Sequence, residues 1–375
     1  MGSSSVTRWA SEVATPLPRR LAPEPVAGAQ AEEALLATIA ESPGDPSAYL
    51  VYADWLMARG DPRGQLIGLQ HALADAKASE ALREEESRLL AEHEATLLGP
   101  LAEHATDVRF RLGFARYVRL QRRGPLPLDE VVRQVLAHPT ARLLEDLAIG
   151  VTSHGDDHPG YGPTLLALAE SSSPSLACLR LGDSHTPLGD VSNVFRIFPR
   201  LRTVALSGTG LRLSAISPDG LRELVLSNVD TSGAVARAIA AASFPSLETL
   251  VFRRTFSFGP YVDELLDALE PPLVPKLSWL FVRASHLRYG ERAVSAVLRA
   301  PVLGQLERLD LDLPLCDDDL LELIAAAEAL SHLRQLRLRA GNDVSPELQA
   351  ELDRRVPSAA WSTFVASVPG EPPSP

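Results

Sequence analysis

His154, Asp156, Asp157 and His158 place two imidazoles and two carboxylates within five residues, the donor types that gather around a divalent cation. Gly155, Pro159, Gly160 and Gly162 surround them, so the same stretch also reads as a loop insertion, and a metal-dependent enzyme using this loop is kept as the less favoured reading. Cys316-Asp317-Asp318-Asp319 is acidic enough to hold calcium. It stands at the start of an apolar-periodic run, however, where carboxylates cap orphan backbone donors and favour the helix dipole. A third group has the chemistry of recognition: Trp279 and Phe281, with Arg253, Arg283, Arg308 and Arg337 around them and Asp310 among them. Aromatics and arginines bury much area with few rotors and pair with carboxylates. Two readings are open for this group. It forms a partner-binding surface, or its aromatics fold against neighbouring segments while its arginines pair internally with Asp310, Asp312 and Glu223. A Gly-x-Ser-x-Gly elbow, a Cys–His pair at a family spacing and a phosphate-cradling Gly-x-x-x-x-Gly-Lys loop are all missing from the sequence. The expectation is a non-enzymatic protein with no catalytic residue, no cofactor and no metal.

The elements that must position these residues follow from one repeated pattern. Leu306, Leu309 and Leu311 have L-x-x-L-x-L spacing, which recurs at Leu333/Leu336/Leu338 and, upstream, at Leu277/Leu280/Val282, Leu247/Leu250/Phe252 and Leu221/Leu224/Leu226. Further copies are Leu201/Val204/Leu206, Leu176/Leu179/Leu181, Leu144/Leu147/Ile149 and a weaker Ala115/Val118/Leu120. Successive copies begin 20 to 32 residues apart. Positions four and six of each copy fall on one side of an extended segment, and three, five and seven on the other. Between copies the apolar period changes to that of a helix, as at Val131/Val132/Val135, Leu265/Leu266/Leu269, Val294/Val297/Leu298 and Leu320/Leu321/Ile324.

This pattern resembles the long, helix-containing class of leucine-rich repeats. Units too small to bury their own apolar side stack into a curved α/β solenoid, with parallel strands on the concave side and helices on the convex side. Trp279, Phe281 and the arginines then fall on the concave face. The 20-residue copy at Leu201 leaves little room for a helix, so an irregular connection is expected there.

A small all-α domain is expected in front of the repeats. Asp45-Pro46 and Asp61-Pro62 are N-cap and first-turn pairs, each following a chain-breaking Gly. The run Leu50-Val51-Tyr52-Ala53-Asp54-Trp55-Leu56, followed by Gly60-Asp61-Pro62-Arg63-Gly64, resembles the repeat-companion domain, a short helical module at the front of repeat proteins in myxobacteria and planctomycetes. The likeness covers residues 31–72. Met57 and Ala58 stand where that family often has acidic residues and Gln65 where it has Glu, which weakens any ligand-holding role there. The resemblance implies company with repeats and supplies no chemistry. Asp54, near Tyr52, Trp55 and Arg63, reads as a structural partner rather than an acid catalyst. The divisions expected are a disordered leader over 1–30, the helical module and a charged helix over 31–100, the capped solenoid over 101–365 and a tail over 366–375.

The formal net charge of −12 argues against nucleic acid as a partner, since phosphate-binding domains present a basic face. Cys178 and Cys316 fall in distant copies, so a reducing, cytoplasmic setting is expected, and no apolar run reaches the ~18 residues of a membrane span. The partner expected is another protein, identity open, bound by a monomer with no membrane attachment. The alternative is a regulator of a small GTPase or another switch enzyme.

Overall fold

The computed structural model describes residues 25–74, 80–122, 126–150, 160–171, 175–214, 216–227, 237–239, 241–254, 260–284, 293–341 and 344–361. The chain begins with helices α1 (Pro25–Glu41), α2 (Pro46–Met57), α3 (Pro62–Leu73) and α4 (Glu80–Glu92), then two short ones, α5 (Glu94–Leu97) and α6 (Pro100–His104). Helix α1 starts at Pro25, so helical structure begins earlier than the boundary expected at residue 31. Asp45 caps α2 by accepting from the Ser47 N–H, and Asp61 caps α3 by accepting from the Arg63 N–H. Each cap precedes a proline at the first helical position, where the missing N–H removes no bond.

Strands β1 (Ala105–Arg111) and β2 (Phe114–Gln121) form an antiparallel hairpin. Its turn residues Leu112 and Gly113 have φ of 49° and 77°, positive at both central positions as a tight hairpin turn requires. The turn is pressed into the helices. Gly113 N–H donates to Gln70 Oε1 at 2.8 Å, and a Cβ on Gly113 would lie 2.4 Å from Ile67 Cγ1. Leu112 and Phe114 join Tyr49, Tyr52, Leu56 and Ile67 in one buried cluster, with the Phe114 ring stacked on Tyr52 at 5.8 Å.

From β2 onward every neighbouring pair is parallel: β3 (Asp146–Gly150), β4 (Cys178–Asp190), β5 (Thr203–Arg212), β6 (Glu223–Ser227), β7 (Thr249–Arg254), β8 (Trp279–Ala284), β9 (Arg308–Leu315), β10 (Gln335–Ala340) and β11 (Ala359–Trp361). Among the described residues the result is an eleven-stranded mixed sheet in plain sequence order, with β1 as its one antiparallel edge. Each L-x-x-L-x-L copy supplies one strand from β2 to β10. Position four forms the row Val118, Leu147, Leu179, Val204, Leu224, Leu250, Leu280, Leu309, Leu336, and position six a parallel row from Leu120 to Leu338. Both rows are buried in one continuous core.

The strand starts are locked in a second way. The carbonyl at position two accepts two N–H donors from the next strand, as Glu248 does from Ser278 and Trp279 (both 3.0 Å) and Ser278 from Glu307 and Arg308 (2.8 and 2.9 Å).

Helices α7 (Leu128–Ala137), α8 (Gly162–Glu170), α9 (Ser192–Ile197), α10 (Pro260–Asp267), α11 (Ala293–Arg299), α12 (Asp317–Ala325), α13 (Ala327–Leu330) and α14 (Pro346–Arg355) fill connections between strands. Buried residues of α7, α8, α11 and α12 join the core made by positions four and six, so these helices cover one side of the sheet. The short connection after β5 carries extra strand instead of helix. Thr209, Leu211 and Arg212 pair with Pro187, Gly189 and Asp190 in an extension of the β4–β5 ladder. This extension follows Gly182, whose φ of 107° and 1.8 Å approach of a hypothetical Cβ to Ser207 O leave no room for a side chain.

Candidate interaction surface on the sheet

The face opposite the helices is built from positions three, five and seven. Position five reads Arg119, Ala148, Arg180, Ala205, Val225, Val251, Phe281, Asp310, Arg337 across successive strands. The middle of this row is apolar. Val225, Val251 and Phe281 form a buried cluster with Ala205 packed against it. Phe281 is only 2% exposed, so the ring does not offer the open aromatic surface that its strand position implies. The reason is local: apolar side chains in register on adjacent strands stand ~4.8 Å apart and pack on one another.

At the β8–β10 end the side chains form two carboxylate-centred groups. Asp310, 1% exposed, accepts from Arg308 Nε at 3.1 Å through both oxygens, and Oδ2 also accepts from Arg308 Nη2 at 2.7 Å and from Trp279 Nε1 at 3.1 Å. The Arg308 guanidinium lies 3.8 Å from the Trp279 ring centroid. Trp279 is therefore half-buried beneath an arginine, with its indole N–H already used. Asp312, wholly buried, lies between Arg283 Nε and Arg339 Nε, each 3.1 Å from one of its oxygens. These nitrogens stand off the line needed for well-formed hydrogen bonds to Asp312. The contacts are thus charge contacts, and burial raises the Asp312 carboxyl above its ordinary value against the opposing pull of Arg339 and Arg283.

Of the residues named from sequence, Trp279, Arg283, Arg308 and Asp310 meet in these two groups. Arg337 lies beside Asp310 in register, half-buried, with no ion-pair partner among the described residues. Arg253 is half-buried next to Arg283. Glu223 accepts from the Thr203 hydroxyl at 3.2 Å, and burial raises its carboxyl. Arg339, left out of the expected group, shares the Asp312 carboxylate. Its place at position seven, one strand beyond Asp312, was the signal.

The remaining candidates have structural roles or fall elsewhere. Asp319 accepts from Cys316 N–H at 2.9 Å and Asp317 from Ser345 N–H at 2.7 Å, so the acidic run caps α12 and anchors the segment before α14. Asp54 is exposed on α2, while Arg63 binds Asp61, Tyr52 and Glu32 instead. Cys178 and Cys316 are free, and burial pushes the Cys178 thiol up. The His154–His158 stretch lies outside the described residues. Among the described residues, no three His, Cys, Asp or Glu side chains converge as a metal site, and no helix is long and apolar enough to cross a membrane.

No protein-family model matches the chain, and no curated protein is significantly similar to it in sequence. Among solved structures, a structural-genomics target protein from Bacteroides fragilis is similar in fold, with a TM-score of 0.55 and 18% identity over 78% of this chain and 86% of that one. A TLR13–ssRNA13 complex matches with a TM-score of 0.27 and 16% identity, over 65% of this chain and 42% of that one. A likeness that low adds nothing to the description of the fold.

Proposed function

We propose that this chain is a non-enzymatic, cytoplasmic interaction scaffold: a leucine-rich-repeat solenoid, fronted by a repeat-companion module, that holds another protein against its strand-lined face. The observation that carries this reading is the β8–β10 end of that face, where Arg283, Arg308, Arg339 and Trp279, from three adjacent strands, are fixed around two buried carboxylates of β9, with Arg337 in register beside them. Side chains held this way lose little freedom on binding, which limits the ordering cost of association. Arginine and tryptophan are also the residue types that dominate binding hot spots.

The test compares proteins retained from a lysate of the source cells by the wild-type chain and by a Trp279→Ala/Arg283→Ala variant that melts cooperatively. Loss of a hot-spot pair weakens binding by about tenfold or more, so at least one specifically retained protein should disappear. Identical retention by both chains overturns the reading.

A further inference from the structure

We infer that the occupant of this face is an acidic protein segment, held through its carboxylates at the β9–β10 end; this rests on the scaffold reading above. Charge is distributed unevenly over the molecule. Positions three, five and seven of β2 to β10 carry seven arginines and four carboxylates, on a chain whose formal net charge is −12. This face has surplus positive charge while the rest of the protein is strongly negative.

The surplus is sharpest at Arg337. Its register neighbour is Asp310, but both oxygens of Asp310 are taken by Arg308 and Trp279. Asp312, the other carboxylate within this end of the sheet, is shared by Arg283 and Arg339. Among the described residues, three guanidiniums thus meet two carboxylates that solvent does not reach, and beside them Arg337 keeps a half-buried cation with no ion-pair partner. A planar guanidinium in this position matches an incoming carboxylate in a forked, charge-assisted contact.

A single-stranded nucleic acid fits less well. Its bases need open aromatic faces for stacking, whereas Trp279 is covered by Arg308 and Phe281 is buried.

The test measures fluorescence polarisation of a labelled glutamate decamer, a glutamine decamer and a uridylate decamer against the full chain. The glutamate decamer should bind, with an affinity that falls as salt is raised, and the glutamine decamer at least about tenfold more weakly. Arg337→Ala should weaken glutamate-decamer binding by about tenfold while leaving the melting temperature within a degree or two. No binding of the glutamate decamer, equal binding by Arg337→Ala, or tighter binding of the uridylate decamer each overturns the inference. If the glutamate decamer fails while Trp279→Ala/Arg283→Ala still loses a retained protein, the acidic occupant is wrong and the scaffold stands. If that variant loses nothing either, both readings fall.

Discussion

Arginine does two different jobs at the two ends of this molecule. At the front, Arg116 of β2 donates to Leu143 O at 3.1 Å, to Glu145 Oε1 at 2.6 Å and to the Tyr49 hydroxyl, joining α2, β2 and the segment before β3 through one side chain. Arg63 of α3 likewise sits between Asp61, Glu32 and the Tyr52 hydroxyl. In each case one guanidinium meets as many carboxylates as it can neutralise, or more. At the β8–β10 end, four guanidiniums crowd two carboxylates. The first arrangement matches its cations with carboxylates of the same region and fastens the helices to the sheet. The second fixes three of its arginines on two carboxylates and leaves Arg337 without an ion-pair partner among the described residues. Buried arginine alone therefore does not single out the proposed site; what sets that end apart is the balance of charge around it.

The comparison breaks most readily at Arg116. Arg116→Ala empties the buried site of a guanidinium packed on Tyr49 and Phe114, takes the cation from Glu145 and leaves the Leu143 carbonyl without that donor, so it should destabilise the protein by about 3 kcal/mol. Urea unfolding, with m unchanged, checks this. A loss below about 0.5 kcal/mol, the range of an ordinary surface change, would mean that this network fastens nothing.

At the other end, Asp310→Ala strands the Trp279 N–H and the Arg308 fork. Both donors are only half-buried and can turn partly to water, so the expected loss is about 2 kcal/mol. If Asp310→Ala proves costlier than Arg116→Ala, the two ends have been assigned the wrong way round.

How far the sequence revealed these two ends differs for a physical reason. The interior rows were legible because an apolar residue, most often leucine, at positions four and six of every copy leaves one solution for which side is buried. Leu280 and Leu309 fall where the period puts them. Position five is ambiguous by the same logic. Period two says that Phe281 faces away from the helices, and it does, but burial on that face depends on what stands beside it across the sheet. Only the register of Val225, Val251 and Phe281 reveals a second small core there. The pairing of Arg283 and Arg308 with Asp312 and Asp310 was open to sequence reasoning as one of two readings, since opposite charges recur at neighbouring template positions. Which carboxylate would be exhausted, leaving Arg337 over, depends on side-chain reach that spacing does not encode. The Tyr49–Arg116–Glu145 network was hidden more deeply. It joins a helix and two repeat copies 67 and 29 residues apart along the chain, and no periodic signal connects them.

The finest discrimination between the two ends comes from pH. Asp312 is raised by burial above its ordinary value of 3.8, with Arg339 and Arg283 pulling the other way. A carboxyl with a raised folded-state value binds more protons folded than unfolded, so the stability it contributes is present below 3.8 and lost as pH rises through the raised value. Asparagine cannot titrate. Wild type should therefore lose melting temperature relative to Asp312→Asn as pH is raised from 3.8 toward neutrality, by a slope bounded at about 1.4 kcal/mol per pH unit for one proton. The opposite slope would mean that the two arginines, not burial, control Asp312. The carboxylate would then be held in an ion pair, as Glu145 is by Arg116, and the far end would be a second fastening instead of the proposed binding surface.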